Sequence, residues 1–207
     1  MITIRAVIIC GGKITDYNYI KKQIKPNDTI ICADSGYNHA TEMELKPSVV
    51  VGDFDSIGEI PTNVKIVQYP TKKDLTDTEI AIEYAREKGF KNFLIIAGMG
   101  SRIDHSLTNV LMLKNFLDRN EYAELVDENN KIMMTNSVLN LNGNKNDIVS
   151  LIPISICHGV TTKNLEYPLQ NAVMHVGKGL GVSNIMTKTT AAVSITSGTL
   201  IVTISKD

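Results

Sequence analysis

The sequence lacks the features that would place the protein in a membrane or on nucleic acid. It has no tryptophan, and no apolar run approaches the length of about 18 residues that a membrane-spanning helix needs. Its 21 basic and 22 acidic residues leave a net charge of -1, which is too small to hold nucleic acid or an anionic bilayer nonspecifically. Partners of either kind are therefore not expected. With 207 residues, 43% of them hydrophobic, the chain is long enough to bury a core.

Cysteine is scarce as well. Cys10, Cys32 and Cys157 are odd in number and widely spaced, and no pair has the spacing typical of zinc or redox sites. Cys10 and Cys32 end apolar runs and are expected to be small buried residues. No basic segment followed by an apolar one opens the chain, so no export signal is predicted and a cytoplasmic location is expected.

The first half of the chain alternates β-branched apolar runs with amphipathic stretches. This alternation predicts βαβ units, and therefore an α/β domain with a mostly parallel, Rossmann-like sheet. Thr76 and Glu79 have the spacing of a capping box, which predicts a helix from there to Gly89, and a second helix is expected from about Asp104 to Leu117. The predicted strands are 6–10, 29–33, 49–51, 64–67, 93–97 and 123–126.

After about residue 128, short alternating segments separated by glycine and asparagine replace the helical pattern. This change predicts an all-β second domain, a small sandwich or barrel. Strands are expected at 137–141 and 148–154, with the hairpin-turn signal Asn142-Gly143 between them, and a closing strand at 200–204. The predicted domains are therefore residues 1–128 and 129–207.

Acidic residues follow several of the predicted strands. Asp34 ends one strand, Asp53 and Asp55 follow the next, and the segment from Lys72 to Asp77 precedes the capped helix. Ligands of an open parallel sheet bind beyond the carboxyl ends of its strands, so these carboxylates are expected to converge on one Mg²⁺ ion and a nucleotide. Each aspartate taken singly is equally well explained as a turn former, whereas three at successive strand ends favour a site.

A glycine-rich loop follows the run 93–97. It reads Gly98-Met-Gly-Ser-Arg-Ile-Asp-His105 and leads into a predicted helix, so its N–H groups and the helix dipole are suited to bind phosphate. Arg102 adds a planar cation that can hold phosphate oxygens in pairs. The loop is not a Walker loop and lacks the third glycine of a dinucleotide fingerprint, and Asp104 is also explained as a helix cap.

Five motifs occur in order along nearly the whole chain: Ala33-Asp-Ser-Gly36, Gly52-Asp-Phe-Asp-Ser56, Lys73-Asp-Leu-Thr-Asp77, Ser101-Arg-Ile-Asp-His105 with Asn109, and Gly181-Val-Ser-Asn184. As an ordered set they resemble those of the bacterial thiamine pyrophosphokinase family. Two positions depart from the family pattern, since Ser101 replaces a usual glycine and Asn164 replaces a common one. Serine still offers its N–H, and asparagine tolerates a left-handed backbone, so both turns are expected to survive.

The resemblance implies Mg²⁺-dependent transfer of the pyrophosphoryl group of ATP to the hydroxyethyl oxygen of thiamine, with release of AMP. It also implies a nucleotide-binding first domain, a thiamine-binding β-sandwich and a homodimer with active sites between subunits. The implied acidic metal and pyrophosphate site comprises Asp34, Asp53, Asp55, Asp74 and Asp77, of which Asp53, Asp55 and Asp77 are the metal ligands. The implied catalytic residues are Asp55 or else Asp77 as proton acceptor, and Arg102. The other implied substrate contacts are Gly100, Ser101, Asp104, Asn109, Tyr167, Ser183 and Asn184, with Tyr167 stacking on thiamine.

Other classes of function remain open from the sequence. A Mg²⁺-dependent phosphohydrolase would use the same aspartates to direct water at a nucleotide, and it would form ADP or AMP without thiamine. A thiamine-binding protein on an inactive kinase fold would bind its ligand without releasing AMP. A general nucleotide-binding module would leave the β-rich half unexplained.

Overall fold

The computed structural model describes residues 4–54, 64–69 and 74–206. The chain divides into two compact units, with unit 1 formed within residues 1–112 and 118–128 and unit 2 within residues 113–117 and 129–207. In the described ranges, none of the helices combines the length and the apolar character that crossing a membrane requires.

Unit 1 is built on a parallel sheet. Its strands lie in the order β6-β5-β1-β2-β3-β4, and each neighbouring pair is parallel. All four residues of β1 are buried, as expected for a strand with helices over both faces of its sheet. The elements are β1 (Ala6–Ile9), α1 (Tyr17–Gln23), β2 (Thr29–Ala33), α2 (Gly36–Glu42), β3 (Val49–Gly52), β4 (Ile66–Gln68), α3 (Asp77–Glu87), β5 (Asn92–Ile96), α4 (Ile103–Asp118) and β6 (Tyr122–Val126). Residues 113–117 of α4 belong to unit 2.

The strand order contains one switch point. From β1 the chain adds strands outward through β2, β3 and β4, and it then returns to place β5 on the other side of β1. A crevice forms at the carboxyl ends of the strands where such an order reverses. Four strands lie on one side of this switch and two on the other, whereas the dinucleotide-binding fold has three on each side.

The capped helix has the form that the sequence predicts. Thr76 Oγ1 accepts a hydrogen bond from the Glu79 N–H at 3.3 Å, and the Thr76 N–H donates to Glu79 Oε2 at 2.8 Å, so the capping box is confirmed. Gly89 follows the helix with φ of 85°, a left-handed conformation that ends the helix at little cost for glycine. The two seven-residue helices α1 and α2 are not predicted, because they are too short for a clear period.

Unit 2 consists of antiparallel strands in two groups. One group has the order β12-β9-β14-β7 and the other the order β11-β10-β13-β8, and their inward residues form one apolar core. The expected all-β second half is therefore confirmed. The elements are β7 (Asn130–Thr135), β8 (Val138–Asn142), β9 (Ile148–Pro153), β10 (Cys157–Lys163), β11 (Ala172–Met174), β12 (Asn184–Ile185), β13 (Thr190–Ser194) and β14 (Leu200–Ser205).

The hairpin interpretation of Asn142-Gly143 is wrong. β8 pairs with β13, while β9 pairs with β14 and β12, so the two strands belong to different groups. The reason lies in the core, where Leu141 of β8 and Leu151 of β9 are both buried in the same cluster. At residues 143–147 the chain therefore passes from one strand group to the other, and it does not form a hairpin.

Candidate active site

A cleft of about 440 Å³ opens in unit 1 at the carboxyl ends of β1, β2 and β5. It lies at the switch point of the parallel sheet, where an open α/β fold is expected to bind its ligand. The wall is formed by residues 10–13 after β1, 33–35 after β2, 76–78 at the start of α3 and 97–102 after β5, together with His105 and Asn109 of α4.

The structure brings together some of the predicted site residues and leaves others apart. The predicted residues that line this cleft are Asp34, Asp77, Gly100, Ser101, Arg102 and Asn109. Asp53, Asp74 and Asp104 are described but are not among the lining residues, and Asp55 lies outside the described residues. Tyr167, Ser183 and Asn184 lie in unit 2.

The backbone takes an unusual conformation where three strands end. Asp34 after β2, Phe54 after β3 and Ala97 after β5 have φ of 45°, 65° and 54°. A left-handed conformation costs a residue with a Cβ about 1–2 kcal/mol, and such strain is concentrated at functional sites. Asp34 is 5% exposed, and its N–H donates to Val51 O at 2.8 Å, so the neighbouring strand fixes its position. Of these three residues, Asp34 and Ala97 line the cleft.

The glycine-rich loop is held in place by the helix that follows it. The Gly100 N–H donates to Ser106 Oγ at 3.1 Å, and Ser106 Oγ donates to Gly100 O at 3.3 Å and lies 3.1 Å from Arg102 O. Asn109 is buried, and its Nδ2 donates to Gly98 O at 2.6 Å. Asn109 therefore fixes the loop and also lines the cleft. Ser106 was not predicted, because serine is common in a first helical turn.

Arg102 and Asp104 form a two-point ion pair. Arg102 Nη2 lies 2.6 Å from Asp104 Oδ2, and Arg102 Nε lies 3.2 Å from Asp104 Oδ1. Both side chains are largely exposed, and the hydrogen bond from Arg102 holds the pKa of Asp104 below its ordinary value. Asp104 thus orients the guanidinium at the rim, while the Nη1 end is available to donate to a phosphate oxygen.

The start of α3 forms another part of the cleft wall. Asp77 occupies the first turn of this helix, and the Thr78 hydroxyl donates to Cys10 Sγ at 3.3 Å. Burial raises the pKa of Cys10 to about 11, so the thiol stays protonated and acts as a small buried contact. The expectation that Cys10 and Cys32 are buried is confirmed.

A third loop at the cleft was not predicted. Gly11, Gly12 and Lys13 follow β1, and the Gly12 N–H donates to Ala97 O at 2.8 Å. A Cβ on Gly12 would lie 2.4 Å from the carbonyl oxygens of both Ala97 and Met99, so only glycine fits there. The signal was present in the sequence, because a strand followed by two glycines and a lysine repeats the pattern of the loop after β5.

The donor set of the cleft suits a divalent cation that arrives with a nucleotide. Mg²⁺ takes one or two carboxylates in such sites and completes its shell with water and phosphate oxygens, and Asp34 and Asp77 are two carboxylates on the wall. Within residues 4–54, 64–69 and 74–206 no group of three or more His, Cys, Asp or Glu residues forms a ready metal site. The described residues therefore fit a metal–nucleotide complex better than a metal alone.

Unit 2 exposes an aromatic residue on a fixed backbone. Tyr167 is 65% exposed, while Asn184 is buried and its side-chain amide bonds to the backbone N–H and C=O of Tyr167. Ser183 has φ of 56°, and its N–H donates to Ser150 Oγ at 3.1 Å. The predicted left-handed turn at Asn164 is confirmed by its φ of 59°. The surface of this unit also exposes the apolar side chains Val173, Val176, Leu180 and Val182.

Comparisons with known proteins agree on one family. Residues 20–125 match the model of the thiamin pyrophosphokinase catalytic domain, and residues 135–201 match the model of the thiamin pyrophosphokinase vitamin B1 binding domain. The chain is 30% identical over 186 residues to the thiamine pyrophosphokinase of Bacillus subtilis, covering 86% of this chain and 87% of that protein.

Solved structures give the same result. The crystal structure of thiamine pyrophosphokinase from Bacillus subtilis has a TM-score of 0.88 and 26% identity, with 99% of both chains covered. That of thiamin pyrophosphokinase from Geobacillus thermodenitrificans has a TM-score of 0.83 and 25% identity, with 99% of this chain and 98% of that chain covered. The chain therefore belongs to the thiamine pyrophosphokinase family of transferase enzymes.

Proposed function

We propose that this protein transfers the pyrophosphoryl group of ATP to the hydroxyethyl oxygen of thiamine, forming thiamine diphosphate and AMP. The observation that carries the proposal is the match of one chain to both a catalytic and a vitamin B1 binding domain model. The cleft of unit 1 supports it, because a strand-end site with two carboxylates, a glycine-rich loop and an arginine suits a polyphosphate. In this proposal residues 1–128 form the catalytic domain, with a Rossmann-like sheet, and residues 129–207 form the thiamine-binding domain.

The phosphates of ATP bind along the loop after β5 in this proposal. Its backbone N–H groups and the start of α4 attract anions, and the side chains of Ser106 and Asn109 keep the loop in one conformation. Ser101 contributes its N–H to this loop, and Arg102 donates to an oxygen of the group being transferred. Because the position of Arg102 is fixed by Asp104 before ATP arrives, little rotamer entropy is lost on binding.

In this proposal magnesium would be held by Asp77 on the cleft wall together with Asp53 and Asp55, and Asp34 and Asp74 would complete the acidic site. When bound, the metal neutralises charge on the phosphates and polarises the phosphorus that is attacked. The residues of the chain do the remaining work of positioning. The first-turn carboxylate of α3 and the buried carboxylate after β2 belong to different elements, so they would act on the polyphosphate from two sides through the bound cation.

Thiamine binds to unit 2 through Tyr167. The thiazolium ring carries a permanent positive charge, so the face of an exposed tyrosine provides stacking and a cation–π attraction of about 0.5–2 kcal/mol. Ser183 supplies a polar contact to the aminopyrimidine edge. Asn184 contributes by fixing the backbone of Tyr167, since its amide is already engaged there.

In the transfer, the thiamine hydroxyl oxygen attacks the β-phosphorus of ATP, and the bond from that phosphorus to the oxygen of the α-phosphate breaks. AMP leaves with the electron pair of this bond. The hydroxyl proton passes to an aspartate. Asp55 is the first candidate for this proton acceptor, and Asp77 is the second. Arg102 offsets the charge that develops on the transferred group, an effect worth about 100- to 1,000-fold in kcat when one such donor is removed.

The cytoplasmic location expected from the sequence stays a prediction.

A homodimer with active sites between subunits completes the proposal. On α4, Ile103, Leu107 and Leu111 are 70%, 53% and 51% exposed and follow one another at intervals of four residues. An exposed apolar stripe of this kind supports burial in an oligomer. Sedimentation of Leu107→Asp beside the parent protein tests it, and an unchanged mass would count against the stripe as the interface.

The proposed reaction is tested by incubating the purified protein with ATP and Mg²⁺, with and without thiamine, and identifying the products by mass spectrometry. AMP and thiamine diphosphate that appear only with thiamine support the proposal. Nucleotide hydrolysis without thiamine would indicate the phosphohydrolase, and thiamine binding without AMP release would indicate a binding protein. Arg102→Ala is expected to lower kcat about 100-fold or more, while Arg119→Ala, an exposed arginine of unit 1 away from the cleft lining, keeps the parental rate.

A further inference from the structure

The loop after β1 presents a lysine to the cleft. Among the described residues that line the cleft, Lys13 is the lysine and Arg102 is the arginine. Asp34 and Asp77 line the same cleft. Arg102 is already paired with Asp104, whereas Lys13 forms no ion pair with the described part of the chain. A flexible ammonium group at the edge of a phosphate-binding cleft is suited to contact a polyphosphate.

The same loop is fixed from behind by two side chains. His39 Nε2 lies 2.7 Å from the carbonyl oxygen of Gly12, and Tyr17 Oη lies 2.8 Å from His39 Nδ1. A carbonyl oxygen can only accept, so Nε2 carries a proton and donates to Gly12, and the tyrosine hydroxyl bonds to Nδ1 on the other side of the ring. Burial, with Glu42 and Glu128 nearby, raises the pKa of Tyr17, which keeps that hydroxyl protonated.

Two further contacts complete the restraint. The Gly12 N–H donates to Ala97 O at 2.8 Å, so both polar groups of the Gly12 backbone are bonded. At the far end of the loop, Glu128 accepts hydrogen bonds from the N–H groups of Thr15 and Asp16, the latter at 3.0 Å. These contacts restrain the backbone on both sides of Lys13 without any ligand.

We infer that Lys13 binds a phosphate of ATP and that Tyr17 and His39 act as a positioning pair that holds the Gly11–Lys13 loop for this contact. The inference rests on the proposed use of ATP and adds to it a residue outside the five family motifs. Lys13 touches the substrate, whereas Tyr17 and His39 act through the carbonyl of Gly12.

The lysine is tested by titrating the full-length protein with ATP and with adenosine, using calorimetry. Lys13→Met is expected to weaken ATP binding roughly 10-fold or more, as loss of a charge-assisted contact does, and to leave adenosine binding unchanged. Lys22→Met is the matched control, because Lys22 is an exposed lysine on α1 that is not on the cleft wall. Parental affinity of Lys13→Met for ATP would overturn the inference.

The positioning pair is tested by steady-state kinetics. His39→Leu and Tyr17→Phe are expected to raise KM for ATP about 3- to 10-fold with little change in KM for thiamine, because the first removes both hydrogen bonds behind the loop and the second removes one. His39→Gln retains an N–H that reaches the Gly12 carbonyl and is expected to restore most of the loss. If His39→Gln is as impaired as His39→Leu while both remain folded by circular dichroism, the positioning role is wrong.

The parent protein separates this inference from the proposed function. A parent that releases AMP with thiamine while Lys13→Met matches it in ATP affinity overturns the role of Lys13 alone. A parent that binds ATP but releases no AMP, with Lys13→Met weaker in ATP binding, overturns the reaction and supports the lysine contact. A parent that binds no ATP overturns both.

Discussion

The side-chain amide of Asn184 is paired with the backbone of Tyr167. Its Oδ1 accepts from the Tyr167 N–H at 3.0 Å, and its Nδ2 donates to the Tyr167 carbonyl oxygen at 2.6 Å. Asn184 is 4% exposed and Tyr167 is 65% exposed, so a buried amide supports an aromatic ring that faces solvent. The Ile185 N–H also donates to Oδ1, at 2.9 Å, which leaves little of the amide for a ligand.

Replacement of Asn184 is therefore expected to impair thiamine use through Tyr167. Asn184→Ala leaves two backbone groups of Tyr167 without their partners, a cost of about 1–3 kcal/mol that corresponds to roughly a 10-fold rise in KM for thiamine. KM for ATP stays at the parental value. Tyr167→Phe serves as the control, because it retains the ring and is expected to behave as the parent, whereas Tyr167→Ala loses stacking. Equal increases in both KM values for Asn184→Ala would show a general loss of structure instead.

Gly12→Ala is expected to destabilise the fold. The new Cβ would lie 2.4 Å from two backbone oxygens, and backbone cannot move aside cheaply, so a loss of about 1–3 kcal/mol in the free energy of unfolding is expected. Gly179→Ala is a matched control, since a Cβ there meets nothing within 4 Å and the backbone is not left-handed. Urea denaturation followed by circular dichroism measures both. A midpoint for Gly12→Ala equal to that of Gly179→Ala would contradict the crowding at this loop.

Glu128 is expected to stabilise the protein at neutral pH and to lose that effect in acid. Burial opposes ionisation of Glu128, but hydrogen bonds from the Asp16 and Thr15 N–H groups outweigh it and hold the pKa below its ordinary value. A carboxyl whose pKa is lowered on folding stabilises the protein above its unfolded pKa, about 4.3 for glutamate, and loses the effect as the pH falls through the folded value.

The measurement is the difference in Tm between the parent and Glu128→Gln. The parent is expected to melt higher at pH 7, and the gap is expected to narrow as the pH falls below about 4.3. Because both proteins share every other carboxyl, the difference isolates this residue. A gap that is constant from pH 7 to pH 3 would show that Glu128 acts through packing and not through its charge.

The three cysteines are expected to be inert in the folded protein. All three are buried, and the pKa of Cys10 is raised to about 11 by burial, so only about one thiol in 1,000 is ionised at pH 8. Alkylation by iodoacetamide under native conditions, read by mass spectrometry, is expected to modify none of them within the time that labels all three in urea. Rapid native labelling of Cys10 would contradict the closed packing against Thr78.

The sequence predicted the parts of the fold that depend on local pattern. β-branched runs marked the strands of unit 1, and Thr76 and Glu79 marked the start of α3, because each signal is contained in a few neighbouring residues. The hairpin prediction from Asn142-Gly143 was wrong because strand pairing is not a local property. Whether β8 and β9 pair or separate depends on the partners that arrive later in the chain, β13 and β14, and no residue near the turn carries that information.

Part of the candidate site was predicted from residue type and position along the chain. The aspartates and the loop after β5 stand out by residue type, and Asp34 and Arg102 do line one cleft. The loop of Gly11, Gly12 and Lys13 was missed because a short glycine pair carries little weight alone. The partners of Asn184 and His39 could not be predicted, because a side chain that bonds to a backbone 17 or 27 positions away leaves no trace in spacing.

The left-handed turns after β2, β3 and β5 have a consequence for inhibitors of this cleft. Asp34, Phe54 and Ala97 adopt conformations that each residue avoids in an unfolded chain, so the free energy of folding alone maintains them. The cleft that Asp34 and Ala97 line is therefore expected to keep its backbone contour when a ligand binds, and adaptation is left to side chains such as Lys13. Rigid compounds shaped to that contour would bind without an entropic penalty from the backbone, whereas compounds that demand a reshaped wall would be rejected.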